Sequence, residues 1–389
     1  MNICHVVYEC LPGRYAGGVQ KMVYELACAQ SALENSVEIW TIGSGEDRVE
    51  PCGLKIRYFS GNSRWRSHSI REAMELHAKQ FDVFHGHNTF LALNRYVGRI
   101  GRKRLAKTFY HPHGALDPVL LRGWSFKAVK KRTYVSMFEK ANYDFSDGVI
   151  GLTEMECEQI AHIGIRAPIY ELNNGIELAP RAHEFSSVEF RVRNQVLLDD
   201  FPILFVGRIT EKKGIHFLIE AMPEILRRIP SAVLVICGGR GQDVSYVKKL
   251  DEIVERLKLF GRVVWAGFVD EIDKRSAFAS ARLFAHPSYS EGMALAILEA
   301  MAAGIPTIVT PGCYMGKAVN AGALLQSEQS AKDVAESIVR LSNDPSEARQ
   351  IARCAVDYVG TVHGWNNVAR RLDLIYRGDP SIASYRPRL

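Results

Sequence analysis

Short apolar runs alternate with amphipathic stretches along most of the chain. Asn2–Tyr8 reads as a strand that enters a loop from Cys10 to Gly18. Beyond it Val19, Met22, Val23 and Leu26 recur at the i, i+3, i+4, i+7 spacing of a helix. Val37–Ile42, Asp82–His85, Lys107–His111, Gly148–Leu152 and Ile169–Leu172 are further strand candidates. Strands that alternate with helices predict a parallel sheet covered on both faces. One α/β domain is therefore expected over 1–178. The polar stretch Glu177–Asp200 has no clear period, which makes 179–200 the expected linker.

A second series follows. It contains Pro202–Val206, a helix over Ile215–Arg228, the strand Ala232–Cys237 and a helix over Val244–Leu257. Val263–Ala266, Leu283–His286, the run Ala294–Ala303 and Thr307–Thr310 complete a domain expected over 201–360. Trp365, Val368, Leu372, Ile375 and Tyr376 form a helical stripe in 361–389, and the polar tail Asp379–Leu389 is expected to fray. Two tandem doubly wound domains create a cleft facing the carboxyl ends of both sheets, where such folds bind ligands.

Composition narrows the class. With 389 residues, 47% hydrophobic and 24% charged, the chain can fill two cores, which excludes disordered, collagen-like and coiled-coil readings. No window approaches the ~20 apolar residues of a membrane span, and the polar start lacks the apolar core of a signal peptide. A cytoplasmic location is expected. The eight cysteines form no CxxC or metal-type spacing and read as reduced thiols. The net charge of +6 is uneven: Arg64 to Arg132 carries fifteen basic and four acidic residues, +11, leaving −5 elsewhere.

Two segments carry candidate chemistry. In Ser290-Glu-Gly-Met-Ala-Leu-Ala-Ile-Leu-Glu-Ala-Met-Ala-Ala-Gly-Ile-Pro306, Glu291 sits in a loop after a strand, and Glu299 lies in the helix that Gly304 and Pro306 end. The backbone amides of Gly292, Met293, Ala294 and Leu295 would face outward at a helix N-terminus, suited to an anion. A surface helix flanked by two glutamates is the plainer alternative. In Val206-Gly-Arg-Ile-Thr-Glu-Lys-Lys-Gly214, Arg208 and Lys213 flank a tight turn after a buried strand. Two cations there suit a diphosphate, though a solvated basic turn would look the same.

Together these segments resemble the retaining glycosyltransferases of family 4, over essentially the whole chain. Glu291-x7-Glu299 before Ala-Met-Ala-Ala-Gly-Ile-Pro is the strongest element, and Gly207-Arg208…Lys213-Gly214 matches in type and spacing. Gly17-Gly18-Val19-Gln20 resembles the family's glycine pair, with Gln20 where Glu is more usual. Asn173-Asn174-Gly175-Ile176 resembles its Pro-Asn-Gly-Ile turn, with Asn173 replacing Pro. Pro112-His113-Gly114-Ala-Leu-Asp117-Pro118 resembles a segment of a bacterial polysaccharide-assembly branch.

The resemblance implies a GT-B architecture of two Rossmann-like domains facing a central cleft, with a C-terminal helix crossing back to the N-terminal domain. It implies that Arg208 and Lys213 neutralise a leaving diphosphate, that Glu299 bonds the ribose, and that Glu291 contacts the donor sugar. Gly207, Phe268 and Val269 would border the nucleotide. Gly17 and Gly18 would allow close backbone approach, and His113 would lie near the donor sugar. The expected reaction is retaining transfer of a hexose from a UDP- or GDP-sugar to a lipid-linked or polysaccharide-precursor glycan. A nucleotide-sugar epimerase and a non-catalytic nucleotide-sugar binder stay open. An NAD oxidoreductase is disfavoured because Gly13, Gly17 and Gly18 lack the GxGxxG spacing.

No Asp-x-Asp loop is found to hold a magnesium ion, so no metal and no cofactor are expected. His85 and His87 have no third ligand nearby in sequence and read as strand-end residues. The loop Gly238–Gly241 would border the nucleotide or be solvated. Residues 64–132 interleave cations with aromatics, a pattern that suits anionic membrane surfaces at ~1 kcal/mol per Lys or Arg. Nucleic acid fits the same pattern, but the resemblance favours lipid, so peripheral membrane docking is expected and nucleic-acid binding is not.

Overall fold

The computed structural model describes residues 1–10, 18–43, 45–61, 68–116, 126–178 and 187–386. The chain divides into two compact units, Met1–Gly175 with His363–Leu389, and Ile176–Val362.

The first unit is built on β1 (Asn2–Tyr8), β2 (Ser36–Ile42), β3 (Arg48–Val49), β4 (Lys55–Phe59), β5 (Val83–His87), β6 (Lys107–His111), β7 (Gly148–Gly151) and β8 (Ile169–Glu171). Their order is β3-β4-β2-β1-β5-β6-β7-β8, parallel except for β3 with β4. Parallel neighbours need crossovers, supplied by helices that include Gly18–Ala32, His68–His77, Ala92–Arg102 and Glu154–Ala161. Both faces are buried, so alternate residues of β1 enter different cores. Ile3 and Val7 pack with Leu26, Phe109, Leu372 and Tyr376, while Cys4 and Val6 pack with Trp40, Phe84 and Tyr110. The helix Trp365–Arg377 belongs to the first of these cores. Its Asp373 accepts hydrogen bonds from Gln30 at 2.9 Å and Asn35 at 2.6 Å.

The second unit carries β9 (Phe201–Val206), β10 (Ala232–Cys237), β11 (Val263–Gly267), β12 (Leu283–His286), β13 (Thr307–Val309) and β14 (Leu325–Gln326). The order is β11-β10-β9-β12-β13-β14, all parallel. Ile203, Phe205, Leu234 and Ile236 pack against Ile215, Leu218 and Met222 of one helix and Leu250 of another. Each such side chain stabilises by about 1.5–3 kcal/mol when fully buried. Successive strands depart in opposite directions from β9, so the order reverses between β9 and β12. In the first unit it reverses between β1 and β5. Loops at these points are the ligand-binding positions of doubly wound sheets.

Three features depart from the sequence reading. β3, β4 and β14 were not anticipated: two are only two residues long, and Lys55–Phe59 interrupts its apolar positions with charge. Residues 187–200, expected within a linker, include the helix Ser187–Arg193. Its Phe190 is buried, and Arg191 donates to the carbonyls of Leu197, Leu198 and Ser280 at 3.0, 3.2 and 2.7 Å. A single aromatic anchor and a satisfied buried guanidinium made this segment look merely polar. In the tail, Tyr385 N donates to Ile169 O at 2.6 Å, so that part is tied to β8. Among the described residues no helix is long and apolar enough to cross a membrane.

Candidate active site

In the second unit, β9 enters Gly207-Arg208 and then a single turn over Glu211–Lys213 that ends on Gly214 at φ 65°. A Cβ on Gly214 would stand 2.2 Å from the carbonyl oxygen of Pro287, so glycine lets this turn press on the loop after β12. Tyr289 N closes the contact by donating to Lys212 O at 2.9 Å. The outcome is a salt bridge of 2.5 Å between Lys213 Nζ and Glu291 Oε1, with side chains only 11% and 9% exposed. Ser288 Oγ donates to the same oxygen at 2.5 Å, and His286 Nε2 lies 3.0 Å from it. Glu291 N in turn donates to Gly312 O at 2.8 Å.

Burial alone would hinder ionisation of Glu291, yet Lys213 and the His286 hydrogen bond hold its carboxyl well below the usual range. Burial lowers the pKa of His286, against the pull of Glu291. The neutral ring donates from Nε2 and leaves Nδ1 without a partner among the described residues. It stacks on Phe205, with centroids 5.2 Å apart. A fixed cation–carboxylate pair thus sits at the carboxyl ends of β9 and β12, where the strand order reverses.

Glu299 is not drawn into that pair. It lies in the helix Leu295–Ala302 and meets Lys274 at 2.6 Å, a cation that also reaches Glu271 at 2.9 Å. Lys274 gave no motif signal because it stands on a separate helix, Glu271–Ser280. Gly292, Met293 and Ala294 lead into Leu295, where Ala294 caps the helix without a side-chain hydrogen bond. Its first N–H groups therefore suit an anion or backbone-bound ligand. Arg208 is exposed, and among the described residues no acid pairs with it. Phe268, just past β11, is 84% exposed, and Val269 is half-buried beside it. Arg240 is ion-paired with Asp251 and lies over the Trp265 ring, so it is held on its own surface.

In the first unit His113 follows β6 at φ 57°, with Gly114 at 74°. Glu156, a buried residue the motifs did not mark, holds this turn by accepting from Gly114 N at 2.5 Å and Leu152 N at 2.9 Å. Gly18 opens the helix Gly18–Ala32, and Gln20 Nε2 donates to Tyr8 O at 3.2 Å. Gly17, Asp117 and Pro118 lie outside the described residues. Asn173 Nδ2 donates to Leu152 O at 2.7 Å, and Asn174 O lies 2.8 Å from His363 Nδ1.

Residues 16–179 match the family model described as Glycosyltransferase Family 4, and residues 188–356 match Glycosyl transferases group 1. Together the two matches support a family-4-type glycosyltransferase. An uncharacterised glycosyltransferase of Methanocaldococcus jannaschii is 31% identical over 49% of this chain and 48% of its own length. A D-inositol 3-phosphate glycosyltransferase of Corynebacterium urealyticum is 29% identical over 47% of this chain and 44% of its own. The matched segments thus span about half the length of these relatives. Sucrose-phosphate synthase from Thermosynechococcus elongatus superposes with TM-score 0.77 at 21% identity, over 97% of this chain and 98% of that one. Anabaena HepE in complex with UDP and glucose superposes with TM-score 0.76 at 18% identity, over 97% and 100%. These likenesses establish the GT-B fold of two parallel-sheet α/β domains.

The first unit also carries a cluster that the sequence reading missed. His85 and His87, expected to lack a third ligand nearby, are joined by His5, His111 and His113. The register explains it: His5 lies opposite His85, and His87 opposite His111, on neighbouring parallel strands. His5, His85 and His87, and separately His87, His111 and His113, each bring one nitrogen per ring within 4.8 Å of the others. Either trio could supply ligands to a soft or borderline divalent ion.

The basic stretch is partly committed inside its own unit. Arg95 lies 3.7 Å over the Phe138 ring, Arg99 meets Glu75 at 3.4 Å, Arg104 meets Asp147 at 3.7 Å, and Lys107 donates to Tyr376 O at 2.8 Å. Arg64–Arg66 and Arg122–Ser125 lie outside the described residues.

Proposed function

We propose that the chain is a retaining hexosyltransferase that moves a hexose from a UDP- or GDP-sugar to a lipid-linked or polysaccharide-precursor glycan, without a metal ion. The observation that carries this reading is the buried Lys213–Glu291 pair at the reversal between β9 and β12, with exposed Arg208 at the start of the same loop. Cleaving a glycosyl–phosphate bond builds positive charge at the anomeric carbon and negative charge on the diphosphate. Lys213 and Arg208 offset the latter, with Lys213 already positioned by Glu291, so little reorganisation accompanies bond breaking. Glu291 and the amides of Gly292–Leu295 face the donor sugar, Glu299 takes the ribose, and Phe268-Val269 border the base. The leaving phosphate takes the acceptor proton as the acceptor attacks from the same face, which retains the anomeric configuration. The UDP in the HepE complex supports a uridine donor for this fold.

The test is transfer from UDP- and GDP-hexoses to a glycan acceptor, with and without chelator, and product configuration read by NMR. Chelator-insensitive transfer with retained configuration is expected. Donor isomerised at equal rate without acceptor would instead indicate an epimerase, and tight nucleotide binding without turnover a sensor. Docking on an anionic membrane through 64–132, at the cytoplasmic face, belongs to the same proposal. Flotation with anionic vesicles at low salt, lost at high salt, is expected, and failure to float at low salt would reject that part.

A further inference from the structure

The histidine cluster of the first unit has a direction. Asp373 is a carboxylate and accepts from Gln30 Nε2 at 2.9 Å, which turns the Gln30 carbonyl toward His5, Oε1 to Nε2 2.7 Å. His5 must therefore donate from Nε2. A neutral ring then has a bare Nδ1, and that atom lies 2.9 Å from His87 Nε2, so His87 donates there. The bare Nδ1 of His87 lies 3.0 Å from His113 Nε2, so His113 donates from Nε2 as well. Each ring in the series is thereby set to one tautomer, and the last is left with a bare Nδ1 to which nothing among the described residues bonds.

The surroundings keep these rings neutral. Burial lowers His5 to about 4 and His113 to about 3, and pushes His87 well below the ordinary range, with His85 and His5 adding to it. His85 is fixed separately, 2.6 Å from the Tyr376 hydroxyl, and His111 stacks on His113 with centroids 3.9 Å apart. The positive φ of His113 and the Glu156 clamp on Gly114 hold the last ring in place.

We propose that Asp373, Gln30, His5 and His87 form a polarity relay that makes His113 an obligate hydrogen-bond acceptor at Nδ1. At that atom His113 accepts from a hydrogen-bond donor and disfavours a phosphate or carboxylate. The relay does not rest on the function proposed above. Gln30, His5 and His87 are positioning residues that act through His113.

The relay is tested on the whole protein without substrate, by long-range proton–nitrogen NMR of 15N-histidine-labelled protein. His5, His87 and His113 should each show the Nε2–H tautomer. Gln30→Leu should let His113 populate both tautomers. The exchanged pair Gln30→Glu/Asp373→Asn, which again presents only acceptors to His5, should restore Nε2–H. An Nδ1–H tautomer at His113 in the unaltered protein, or tautomers unmoved in Gln30→Leu, overturns the relay. So does one zinc ion per chain with metal-ligation shifts at these histidines. If Gln30→Leu does not fold, the wild-type spectrum and the exchanged pair still decide.

Discussion

Lys213 and Glu291 stand 78 positions apart in the chain and meet at 2.5 Å in a nearly dry setting. Removing one partner of such a pair leaves an uncompensated buried charge, which typically costs about 3–5 kcal/mol. Lys213→Ala should therefore lower the thermal midpoint and slow transfer by ~10²–10³. Lys213→Met/Glu291→Gln, with both charges removed, should regain most of the stability and none of the transfer. Melting curves alongside initial rates separate the two effects, and recovered transfer in the double variant would refute the catalytic role.

Gly214 is required by geometry rather than by charge. Its positive φ and the nearby Pro287 carbonyl leave no room for a Cβ. Gly214→Ala should lose more than about 2 kcal/mol, since the left-handed conformation alone costs about 1–2. Gly239, which has open space around its Cβ position, is the control, and Gly239→Ala should be near neutral. Denaturant midpoints of the two variants make the comparison.

The buried histidines should make the protein acid-sensitive. Their folded pKa values are depressed by burial, to about 4 for His5 and about 3 for His113, from an ordinary 6.5. The unfolded chain thus binds more protons in this range. Their contribution is complete above pH 6.5 and is lost as pH falls through the folded values. The thermal midpoint should drop progressively from about pH 6.5 downward, and His5→Gln should flatten that slope. A slope unchanged by the substitution would exclude His5 as a contributor.

Glu139 should act in the opposite sense. Burial raises its carboxyl from 4.5 to about 7, although Phe90 N donates to it at 2.9 Å. Its neutral form is favoured in the folded state, so its contribution is complete below pH 4.5 and is lost as pH rises through 7. Glu139→Gln should leave stability little changed near pH 5 and raise it at pH 8, by on the order of 1–3 kcal/mol. Calorimetry at the two pH values measures the difference.

The sequence made the strands and the charged loops of the second unit legible because their signals are local. β10 and β12 follow from continuous apolar runs, and Glu291 and Glu299 from a spacing within one segment. Partnerships were illegible wherever sheet register or a separate helix makes them. Nothing near Glu299 points to Lys274. His5 and His111 each sit in an apolar run that reads as ordinary core strand, and only the pairing of β1, β5 and β6 gathers them. Gln30 and Asp373 are more distant still, at 343 positions apart. Glu156 was missed for a related reason, since its role is to accept backbone amides from two loops rather than to match a motif.

The helix that bears Asp373 and Tyr376 is made after the whole of the second unit, yet it completes a core begun by the first strand. Ile176–Val362 is one continuous segment that can close as soon as it leaves the ribosome. The other unit must wait for that late helix before Gln30 finds its carboxylate. During synthesis the order of completion is thus reversed from the order of the genetic message. A chain stopped short of Trp365 would leave Ile3, Leu26 and Phe109 without the helix that packs on them, an exposed apolar face of the kind that chaperones capture.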